Sequence, residues 1–450
     1  MTRRKLLALT GFWASARASG LGQHAPTSSQ HSAPQTFVGD ADITLRIGEL
    51  SLELAPRRIV RTLAYNGQVP GPLLRAKRGT PLTVDVWNDT KDEDIVHWHG
   101  FHIPPDVDGS FEEGTPGVPP NGRRRYAFTP NPAGTRWYHS HAMAGRNLKK
   151  GTYTGQFGMF VVEDDSDPGA YDLDVPILVH EWDPHFTSDG PMDVEFRAYS
   201  INGRMLGAAE PIRVRPGQRV LFRLLNASAT LPHRLALPAH QMRVIALDGN
   251  AVATPRLVPY VDLSPGERAD AIVEMNQPGV WIFGETRETQ RQAGMGVVVE
   301  YAGESGAPSW VVPSSSTWDY AVFGEVPGVP EPSQRIPLVF RPRGDYQWTI
   351  NGKSFPRTDP IRVQAGRRYC LLFDNQSAHP HPVHLHRHTF EIVRIVDRAT
   401  SKVRKDVVIV PAWRQVEVAF TADNPGPTLF HCHQQFHMDF GFMAMMQYDG

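Results

Sequence analysis

The stretch Pro360-Ile361-Arg362-Val363-Gln364-Ala365-Gly366 leads into a segment in which Tyr369, Leu371 and Phe373 are apolar at every second position. Asn375 closes the segment, nine positions after the glycine. Apolar residues at a period of two indicate a β-strand of a sandwich with one buried face. This pattern decides the fold, because the chain repeats it.

Two earlier segments carry the same pattern. Residues 72–79 are followed by Asn88 and residues 211–217 by Asn226, each nine positions after the glycine that ends the segment. Asn-Gly pairs precede the three copies and begin at Asn66, Asn202 and Asn351, so the copies are 136 and 149 residues apart. A repeat of that length is a whole domain. The apolar alternation of the first two copies consists of Leu82, Val84, Val86, Val220, Phe222 and Leu224.

Three domains of one architecture are therefore predicted. Short alternating strands, together with 39 Gly and 39 Pro, favour all-β sandwich domains over a helical fold. The predicted organisation is a signal and flexible leader at 1–36, a first domain at 37–166, a second at 167–302, a linker at 303–333 and a third domain at 334–450.

Composition narrows the functional classes. The chain has 450 residues, with 46 Lys and Arg against 47 Asp and Glu, so it lacks the basic excess of a nucleic-acid-binding protein. Two cysteines exclude a disulfide framework. No run of 18 apolar residues follows the N-terminus, so we expect no membrane span. The sequence is compatible with a monomer.

The N-terminus has the pattern of an export signal. Arg3 and Arg4 are followed by a short apolar stretch, residues 6–14, and then by a candidate cleavage site at Ala16-Arg17-Ala18. The stretch is too short to span a bilayer, and the paired arginines resemble a twin-arginine signal. The pattern predicts a periplasmic or secreted protein; a basic N-terminus without a transport role is the alternative.

Histidine is concentrated in four motifs. Ten of the 19 histidines lie in His97-Trp98-His99, His139-Ser140-His141, His381-Pro382-Val383-His384-Leu385-His386, and His431-Cys432-His433 with His437. In a strand, a His-x-His pair directs both imidazoles to the same face. Two motifs in the first domain and two in the third indicate metal binding, whereas the middle domain repeats the strand without these histidines.

The donor types indicate copper. Zinc sites usually pair cysteines or keep three ligands with an open position. One thiolate with two imidazoles in a trigonal set is the blue-copper arrangement, and His381, Cys432 and His437 supply that set. Eight histidines remain, which are too many for one ion and suit a cluster. Because Cys432 lies between His431 and His433, a copper on its thiolate has a short covalent path to cluster ligands on both sides.

The four motifs resemble, in order and in number, the copper-binding motifs of the three-domain multicopper oxidases of bacterial laccase-like type. The resemblance covers residues 37–450 and implies three consecutive cupredoxin-like Greek-key domains. It also implies four copper ions: one type 1, one type 2 and two type 3. In this family a small-molecule reductant is oxidised one electron at a time at the type 1 copper, and dioxygen is reduced to water at the trinuclear cluster.

The resemblance also implies a role for each ligand. His381, Cys432 and His437 match the type 1 ligands, and His97 and His384 match the type 2 ligands. The residues that match ligands of the type 3 pair are His99, His139, His141, His386, His431 and His433. Because these motifs come from the first and third domains, we expect metal binding to clamp the two domains together.

The chain departs from the family pattern beside two ligands. The axial type 1 position, directly after Gly441, is Phe442 where many bacterial members have Met. Phe cannot coordinate, which predicts a raised reduction potential. Met443 is the competing residue, although on a regular strand it points to the opposite face. Arg387 follows His386 where the family usually has Gly, and the sequence offers no physical reason for it.

Two acids are candidates for moving protons. Asp108, before Gly109, stands where the family has an acidic residue near the type 2 copper and is predicted to relay protons for dioxygen reduction. An ordinary turn aspartate is the alternative. Asp439 is the second candidate, and Cys370 is expected to have no metal role.

The resemblance leaves the reductant open. Electrons are expected to enter through an exposed edge of His381 or His437, which constrains the donor little. Cuprous oxidases of the family often carry a Met-rich insertion over the type 1 copper, and its absence from the sequence favours a laccase-like oxidase of phenols or aromatic amines. A periplasmic cuprous oxidase in copper tolerance is the alternative. The complete ligand set disfavours a two-domain nitrite reductase and a non-catalytic cupredoxin scaffold.

Overall fold

The structure, a computed structural model, describes residues 39–165, 171–187, 193–325, 332 and 334–449. The predicted signal and leader at 1–36 lie outside the described residues. Within these ranges the helices are α1 (Pro105–Asp108), α2 (Glu288–Gln292), α3 (Gln435–Asp439) and two 3₁₀ turns at Gly151–Tyr153 and Tyr320–Phe323. No helix of the described part is long and apolar enough to cross a membrane. Nearly all the regular structure is strand, so the predicted all-β class is confirmed.

The first domain is built from two four-stranded sheets. Its strands are β1 (Ile43–Ala55), β2 (Arg58–Tyr65), β3 (Leu74–Lys77), β4 (Leu82–Asn88), β5 (Val96–His99), β6 (Gly122–Phe128), β7 (Gly134–Ser140) and β8 (Phe157–Glu163). One sheet has the order β2-β1-β4-β6 and the other β3-β8-β7-β5. The sheets enclose an apolar core that includes Val84, Trp98 and Tyr138.

The middle domain repeats this arrangement with more strands in each of its two large sheets. Its strands are β9 (Leu173–Trp182), β10 (His185–Phe186), β11 (Val194–Glu195), β12 (Ala198–Ile201), β13 (Ile212–Val214), β14 (Arg219–Asn226), β15 (His233–Ala236), β16 (Met242–Leu247), β17 (Asn250–Val258), β18 (Val261–Leu263), β19 (Arg268–Glu274), β20 (Val280–Glu285) and β21 (Gly296–Tyr301). The two large sheets have the orders β12-β9-β14-β19-β16-β17 and β13-β21-β20-β15-β18, and β10 pairs with β11.

The third domain has the same plan. Its strands are β22 (Gln334–Arg343), β23 (Gln347–Ile350), β24 (Ile361–Gln364), β25 (Arg368–Asn375), β26 (His381–Leu385), β27 (Phe390–Ile395), β28 (Arg398–Ala399), β29 (Arg404–Lys405), β30 (Val407–Val410), β31 (Gln415–Thr421), β32 (Thr428–Cys432) and β33 (Met443–Asp449). The sheets have the orders β23-β22-β25-β31-β27-β28, with β29 on β27, and β24-β33-β32-β26-β30. The run β3-β8-β7-β5 thus recurs as β13-β21-β20-β15 and as β24-β33-β32-β26.

The repeated Asn-Gly pair forms the same turn in each domain. Asn66, Asn202 and Asn351 have φ of 53°, 50° and 51°, and the glycines that follow also have positive φ, as a two-residue hairpin turn of this kind requires. Each Asn side chain then bonds to the neighbouring strand. In the middle domain, Asn202 accepts from the Leu178 N–H at 2.9 Å and donates to the Pro176 carbonyl at 2.9 Å.

The asparagine that closes each copy fixes the loop after its strand. Asn88, Asn226 and Asn375 are all buried. Asn375 Nδ2 donates to the His379 carbonyl at 2.8 Å and the Val410 carbonyl at 3.1 Å, while its Oδ1 accepts from the Ser377 N–H at 3.1 Å. The loop that precedes β26 is therefore held on both sides, which sets the position of the third histidine motif.

The predicted apolar faces lie in the cores. All nine residues of the three alternating strands are buried, and those of the middle and third domains share one continuous apolar cluster. A separate cluster that includes Trp137, Phe157 and Leu225 joins the first domain to the middle one. The domains are thus packed closely enough to build a site from residues of more than one of them.

Candidate metal centre

Strand pairing brings the four histidine motifs together. In the first domain β5 pairs with β7, so His97 lies opposite His139. In the third domain β26 pairs with β32, so His384 lies opposite His431. Rings from the two domains then stack across the boundary: the centroids of His99 and His384 are 3.9 Å apart. The eight-histidine group consists of His97, His99, His139, His141, His384, His386, His431 and His433, all buried.

Ring nitrogens within the eight-histidine group approach one another closely. His99 Nδ1 is 3.4 Å from His139 Nε2, and His433 completes this set. His431 Nε2 is 3.0 Å from His386 Nε2 and 3.5 Å from His141 Nε2. His97 and His384 form a further set with His99. His99 belongs to two of these sets, and His97 and His386 share another with Asp108, so the eight rings form one connected cluster.

The outward nitrogens of the rings are anchored. His384 Nδ1 is 2.7 Å from the Asp406 carbonyl, and His139 Nδ1 and His431 Nδ1 are each 2.9 Å from a backbone carbonyl. His99 is reversed, with Nε2 at 3.0 Å from Asp406 Oδ1. A carbonyl or carboxylate partner makes the outer nitrogen the N–H donor, so the inner nitrogen keeps its lone pair.

The inner nitrogens fit a metal. Among the described residues, His97 Nε2, His384 Nε2 and both nitrogens of His433 have no hydrogen-bond partner although they are buried. A buried polar atom without a partner costs about 1–3 kcal/mol, so such a cluster needs an occupant. Burial also lowers the pKa of His141 and His433 to about 3, which keeps both rings neutral. Neutral imidazoles with converging lone pairs are metal donors.

A second group lies next to the first along β32. The Cys432 Sγ is 3.7 Å from His381 Nδ1 and 3.6 Å from His437 Nδ1, and the two nitrogens are 3.2 Å apart. We call these three residues the thiol group. Burial raises the pKa of the Cys432 thiol well above its ordinary value, so the thiolate forms only when a cation replaces the proton. One sulfur and two imidazoles suit copper.

Phe442, rather than Met443, faces the thiol group. The Phe442 ring is fully buried, with its centroid 4.8 Å from that of His381, and its carbonyl accepts from the Cys432 N–H at 3.1 Å. Met443 packs instead with Leu429 and Met438 in a separate apolar cluster. A hydrocarbon ring, which has no donor atom for a metal, thus packs against the thiol group.

The expectation of an exposed histidine edge is wrong. His381 is 0% exposed and His437 3%. The cause is Trp348 on β23, a buried residue whose ring centroid lies 4.5 Å from those of both histidines. Gln434 Nε2 donates to the Pro380 carbonyl, next to His381, at 3.2 Å. Neither imidazole is therefore open to a reductant in solution.

Asp108 lies against the eight-histidine group. Its Oδ2 is 2.8 Å from His386 Nδ1 and 3.2 Å from His97 Nδ1, while Oδ1 has no partner among the described residues. Gly109, with φ of 100°, allows this turn, because a Cβ there would lie 1.9 Å from the Val96 carbonyl oxygen. The pKa of Asp108 lies below its ordinary value: burial raises it, but the neighbouring His97 and other groups lower it by more. Asp108 therefore presents a carboxylate to two of the rings.

The structure supplies the missing reason for Arg387. Its φ is 59°, the left-handed region that glycine occupies most easily, and Gly100 has φ of 85° after His99. The buried guanidinium donates to the Ile103 carbonyl of the first domain at 2.8 Å. The other acceptors, at 2.7–3.3 Å, are the Asn424, Pro425 and Pro427 carbonyls, Asn424 Oδ1 and Thr428 Oγ1. Arg387 thus joins the first domain to the loop before β32.

Asp439 and Cys370 lie outside both groups. Asp439 Oδ2 accepts from the Ala144 and Gly145 N–H groups at 3.0 and 2.7 Å, and burial raises its pKa to about 7. Cys370, on β25 in the other sheet, has its Sγ 3.8 Å from Glu417 Oε2. Asp439 therefore anchors α3 to a loop of the first domain.

The middle domain has an ion triad where the third domain has the thiol group. Leu235 pairs with Glu285 as Val383 pairs with Cys432, so His233 and Glu285 occupy the positions of His381 and Cys432. His233 Nδ1 is 2.9 Å from Glu285 Oε2, and Nε2 bonds to Glu181 Oε1. Burial lowers the pKa of His233, but the two neighbouring carboxylates raise it by more, so the pKa lies above its ordinary value. Both of its nitrogens are engaged, so it has no lone pair for a metal.

Sequence reasoning missed Asp406 and Glu113. Asp406 holds two of the eight histidines, and Glu113 Oε1 accepts from the Leu429 N–H at 2.7 Å and lies 3.6 Å from His386 Nδ1. Asp406 could have been found from its place in the sequence, directly before the apolar run 407–410. That run predicts a buried strand, and an aspartate beside a buried strand is rarely buried unless it has a partner.

Known proteins share this architecture. Three family profiles, each described as multicopper oxidase, match residues 51–167, 174–301 and 331–449. The chain is 31% identical over 437 residues to multicopper oxidase MmcO of Mycobacterium tuberculosis, covering 87% of this chain and 84% of that protein. It is 28% identical over 454 residues to Laccase-2 of Trametes versicolor, covering 86% of each. Among solved structures, Fet3p, a multicopper oxidase that functions in iron import, matches with a TM-score of 0.78 at 19% identity over 90% of both chains.

The sequence profiles span most of the chain, and the histidine and thiol groups lie where the paired strands of the first and third domains meet. The resemblance stated from the motifs is confirmed. The chain belongs to the multicopper oxidase family and is a laccase-like, three-domain, copper-dependent oxidoreductase that passes electrons from a reductant to dioxygen.

Proposed function

We propose that the thiol group holds a type 1 copper and that the eight-histidine group holds three further ions. His97 and His384 hold the type 2 copper, and the other six histidines hold the type 3 pair. The observation that carries the proposal is the set of buried inner nitrogens without partners, beside a buried thiol flanked by two of the rings. When bound, the coppers would take up single electrons and deliver four of them to dioxygen.

The chain supplies the path between the two groups. Cys432 lies in the thiol group, and its chain neighbours His431 and His433 lie in the eight-histidine group. The Cys432 carbonyl is also 2.9 Å from His431 Nδ1, so a hydrogen bond runs parallel to the covalent path. This short connection lets an electron cross from one group to the other without leaving a buried environment.

Asp108 is the proposed proton relay. Its Oδ1 is buried, free of partners among the described residues and beside two rings of the group, so it can hold a proton near the place where dioxygen is reduced. Asp108→Asn keeps an oxygen for His386 Nδ1 and loses the titrating group. We expect kcat to fall about 10²–10⁴-fold while copper content and blue colour are unchanged. Asp106→Asn, on the exposed side of α1, is the control; equal activity of both variants contradicts the relay.

The proposed reductants are phenols or aromatic amines. The thiol group is covered by Trp348 and bordered by Phe442, and the nearby Met438 and Met443 belong to a separate buried cluster. Neither of these two thioethers is therefore offered to an incoming Cu(I) ion. Outer-sphere transfer through the side chains that bury both histidines suits a flat aromatic donor.

The test compares two reductants on the same copper-loaded protein. We expect kcat/KM for a dimethoxyphenol to exceed that for Cu(I) held by a weak chelator. The reverse order supports the alternative, a cuprous oxidase in copper tolerance.

Export to the periplasm or the medium is the last part of the proposal. Residues 1–36 fused to a reporter protein are expected to direct the reporter out of the cytoplasm. Replacing both Arg3 and Arg4 by Lys is expected to abolish this export.

A further inference from the structure

The middle domain contributes no ligand, yet one of its arginines lies at the edge of the eight-histidine group. Arg268, at the start of β19, is 0% exposed. Its Nη1 donates to Asp406 Oδ1 at 2.6 Å and its Nη2 donates to Asp406 Oδ2 at 2.6 Å. The two-point contact is therefore a bidentate salt bridge between a guanidinium of the middle domain and a carboxylate of the third.

The remaining guanidinium donors fix Arg268 itself. Nη1 also donates to the Gly266 carbonyl at 3.0 Å and Nη2 to the Asp248 carbonyl at 3.1 Å, both within the middle domain. Nε points to the Thr135 carbonyl of the first domain at 3.4 Å. Arg268 is therefore oriented before it meets Asp406, and it touches all three domains.

Asp406 in turn holds two histidines by hydrogen bonds, and these histidines are ligands of different proposed coppers. Its Oδ1 accepts from His99 Nε2 at 3.0 Å, and its carbonyl accepts from His384 Nδ1 at 2.7 Å. Its own N–H donates to Asp248 Oδ2 at 3.2 Å. The side chain of Asp406 is the reason why His99 is reversed relative to the other rings, because it requires the N–H on Nε2 and leaves the lone pair on Nδ1.

The space around this contact is closed. A Cβ at Gly100, the residue after His99, would lie 2.7 Å from Asp406 Oδ2 and 2.8 Å from Arg268 Nη2. Arg136 Nη1 is 3.6 Å from Asp406 Oδ2, beyond hydrogen-bond distance, and is engaged by the Asp248 carbonyl. No other cation of the described residues is therefore placed to take over the two-point contact.

We propose that Arg268 is a positioning residue of the trinuclear copper site, acting through Asp406 on the ring orientation of His99 and the placement of His384. The proposal rests on the proposed function. Arginine is needed because its planar fork fixes both carboxylate oxygens, whereas lysine would supply one point charge and leave the carboxylate free to rotate. The middle domain thereby takes part in holding metals that it does not ligate.

The test uses the full chain loaded with copper, in wild-type form and with Arg268→Gln, Arg268→Lys and Arg223→Gln. Arg223 is the matched control: it is buried on the adjacent strand β14, pairs with Asp174 at 2.8 Å and also reaches the first domain, through Thr135 Oγ1 at 2.8 Å. It contacts no member of the eight-histidine group. Copper per chain, the blue absorption of the thiol group and the near-ultraviolet absorption of the type 3 pair are measured for each protein.

We expect Arg268→Gln to keep the blue absorption, to lose the near-ultraviolet absorption and to fall from four coppers per chain toward one. Outer-sphere partners of ligands typically change metal affinity about 10–100-fold. Arg268→Lys, which keeps the buried charge, is therefore expected to give up the cluster coppers to a chelator at about 10–100-fold lower chelator concentration than wild type, with the blue copper unaffected. Arg223→Gln is expected to match wild type.

Wild-type copper content and spectra in Arg268→Lys and Arg268→Gln would overturn the proposal. Parallel loss of the blue and the cluster coppers in Arg268→Lys would also overturn it, because that result means a general loss of folding. If the wild-type protein itself holds no copper in the eight-histidine group, the proposed function fails instead, so the two failures are distinguishable.

Discussion

Replacing Arg387 by Gly gives this chain the residue that its family usually has after the third motif, and we expect that change to destabilise the protein. In the wild-type structure the guanidinium satisfies oxygens of five residues on two domains, at 2.7–3.3 Å. In the variant the Ile103 carbonyl keeps Asn424 Nδ2 as a donor at 3.2 Å, whereas the acceptors of the other four residues are left to the water that enters the vacated space.

The magnitude follows from two opposing terms. A buried acceptor that loses its partner costs about 1–3 kcal/mol, and entering water recovers part of this, so we take about 1 kcal/mol for each of the four residues that keep no other donor. Relief of the left-handed backbone conformation returns about 1–2 kcal/mol. The free energy of unfolding should therefore fall by about 2–3 kcal/mol, which corresponds to a Tm lower by roughly 2–3 °C for a chain of 450 residues that unfolds as one unit.

Thermal unfolding of the copper-free protein measures this effect without the contribution of bound metal. Lys402→Gly is the matched control, because Lys402 has φ of 60° and its exposed side chain makes only a surface ion pair with Glu325 at 2.7 Å, whose loss adds little to the backbone relief. We expect that control to unfold at the wild-type temperature or slightly above. An Arg387→Gly protein at least as stable as wild type would refute the reasoning, since it would show that relief of backbone strain fully offsets the lost hydrogen bonds.

Two further predictions concern the third and the middle domain. Phe442→Met should lower the type 1 reduction potential in a redox titration of the blue absorption, because a thioether stabilises Cu(II), and Met443→Leu should leave it unchanged; the opposite pattern contradicts the assignment. The pKa of His233 is raised in the folded protein. Its contribution to the free energy of unfolding is therefore complete below about pH 6.5, the pKa of an unfolded histidine, and is lost as the pH rises through the pKa of the folded protein. Urea unfolding across this pH range should show that decline in wild type and not in His233→Gln; identical profiles contradict it.

The repeats allowed the fold to be predicted because their signals are local. The alternating strands and the Asn-Gly turns depend on neighbours in the chain, and Asn66, Asn202 and Asn351 make the same contacts in each domain. The histidine motifs were visible for the same reason, since a His-x-His pair on a strand sets its own direction. The spacing of these features is therefore enough to assemble three domains and to place their histidines.

The supporting residues could not be predicted because their partners are distant in the chain. Arg387 and Ile103 are 284 residues apart, and Arg268 and Asp406 are 138 apart. The same limit explains the error about the exposed histidine edge: nothing near His381 or His437 in the sequence shows that Trp348 covers both rings. Such contacts arise only when the domains pack, and no local pattern records them.

Copper content and colour of three proteins test the central claim most directly. Wild type should bind four coppers per chain and be blue, and Cys370→Ser should match it because Cys370 lies in the other sheet, with its thiol near Glu417. Cys432→Ser should bind three coppers and be colourless in the visible range while keeping the near-ultraviolet absorption. A wild-type protein with fewer than four coppers, or a blue Cys432→Ser protein, would contradict the account.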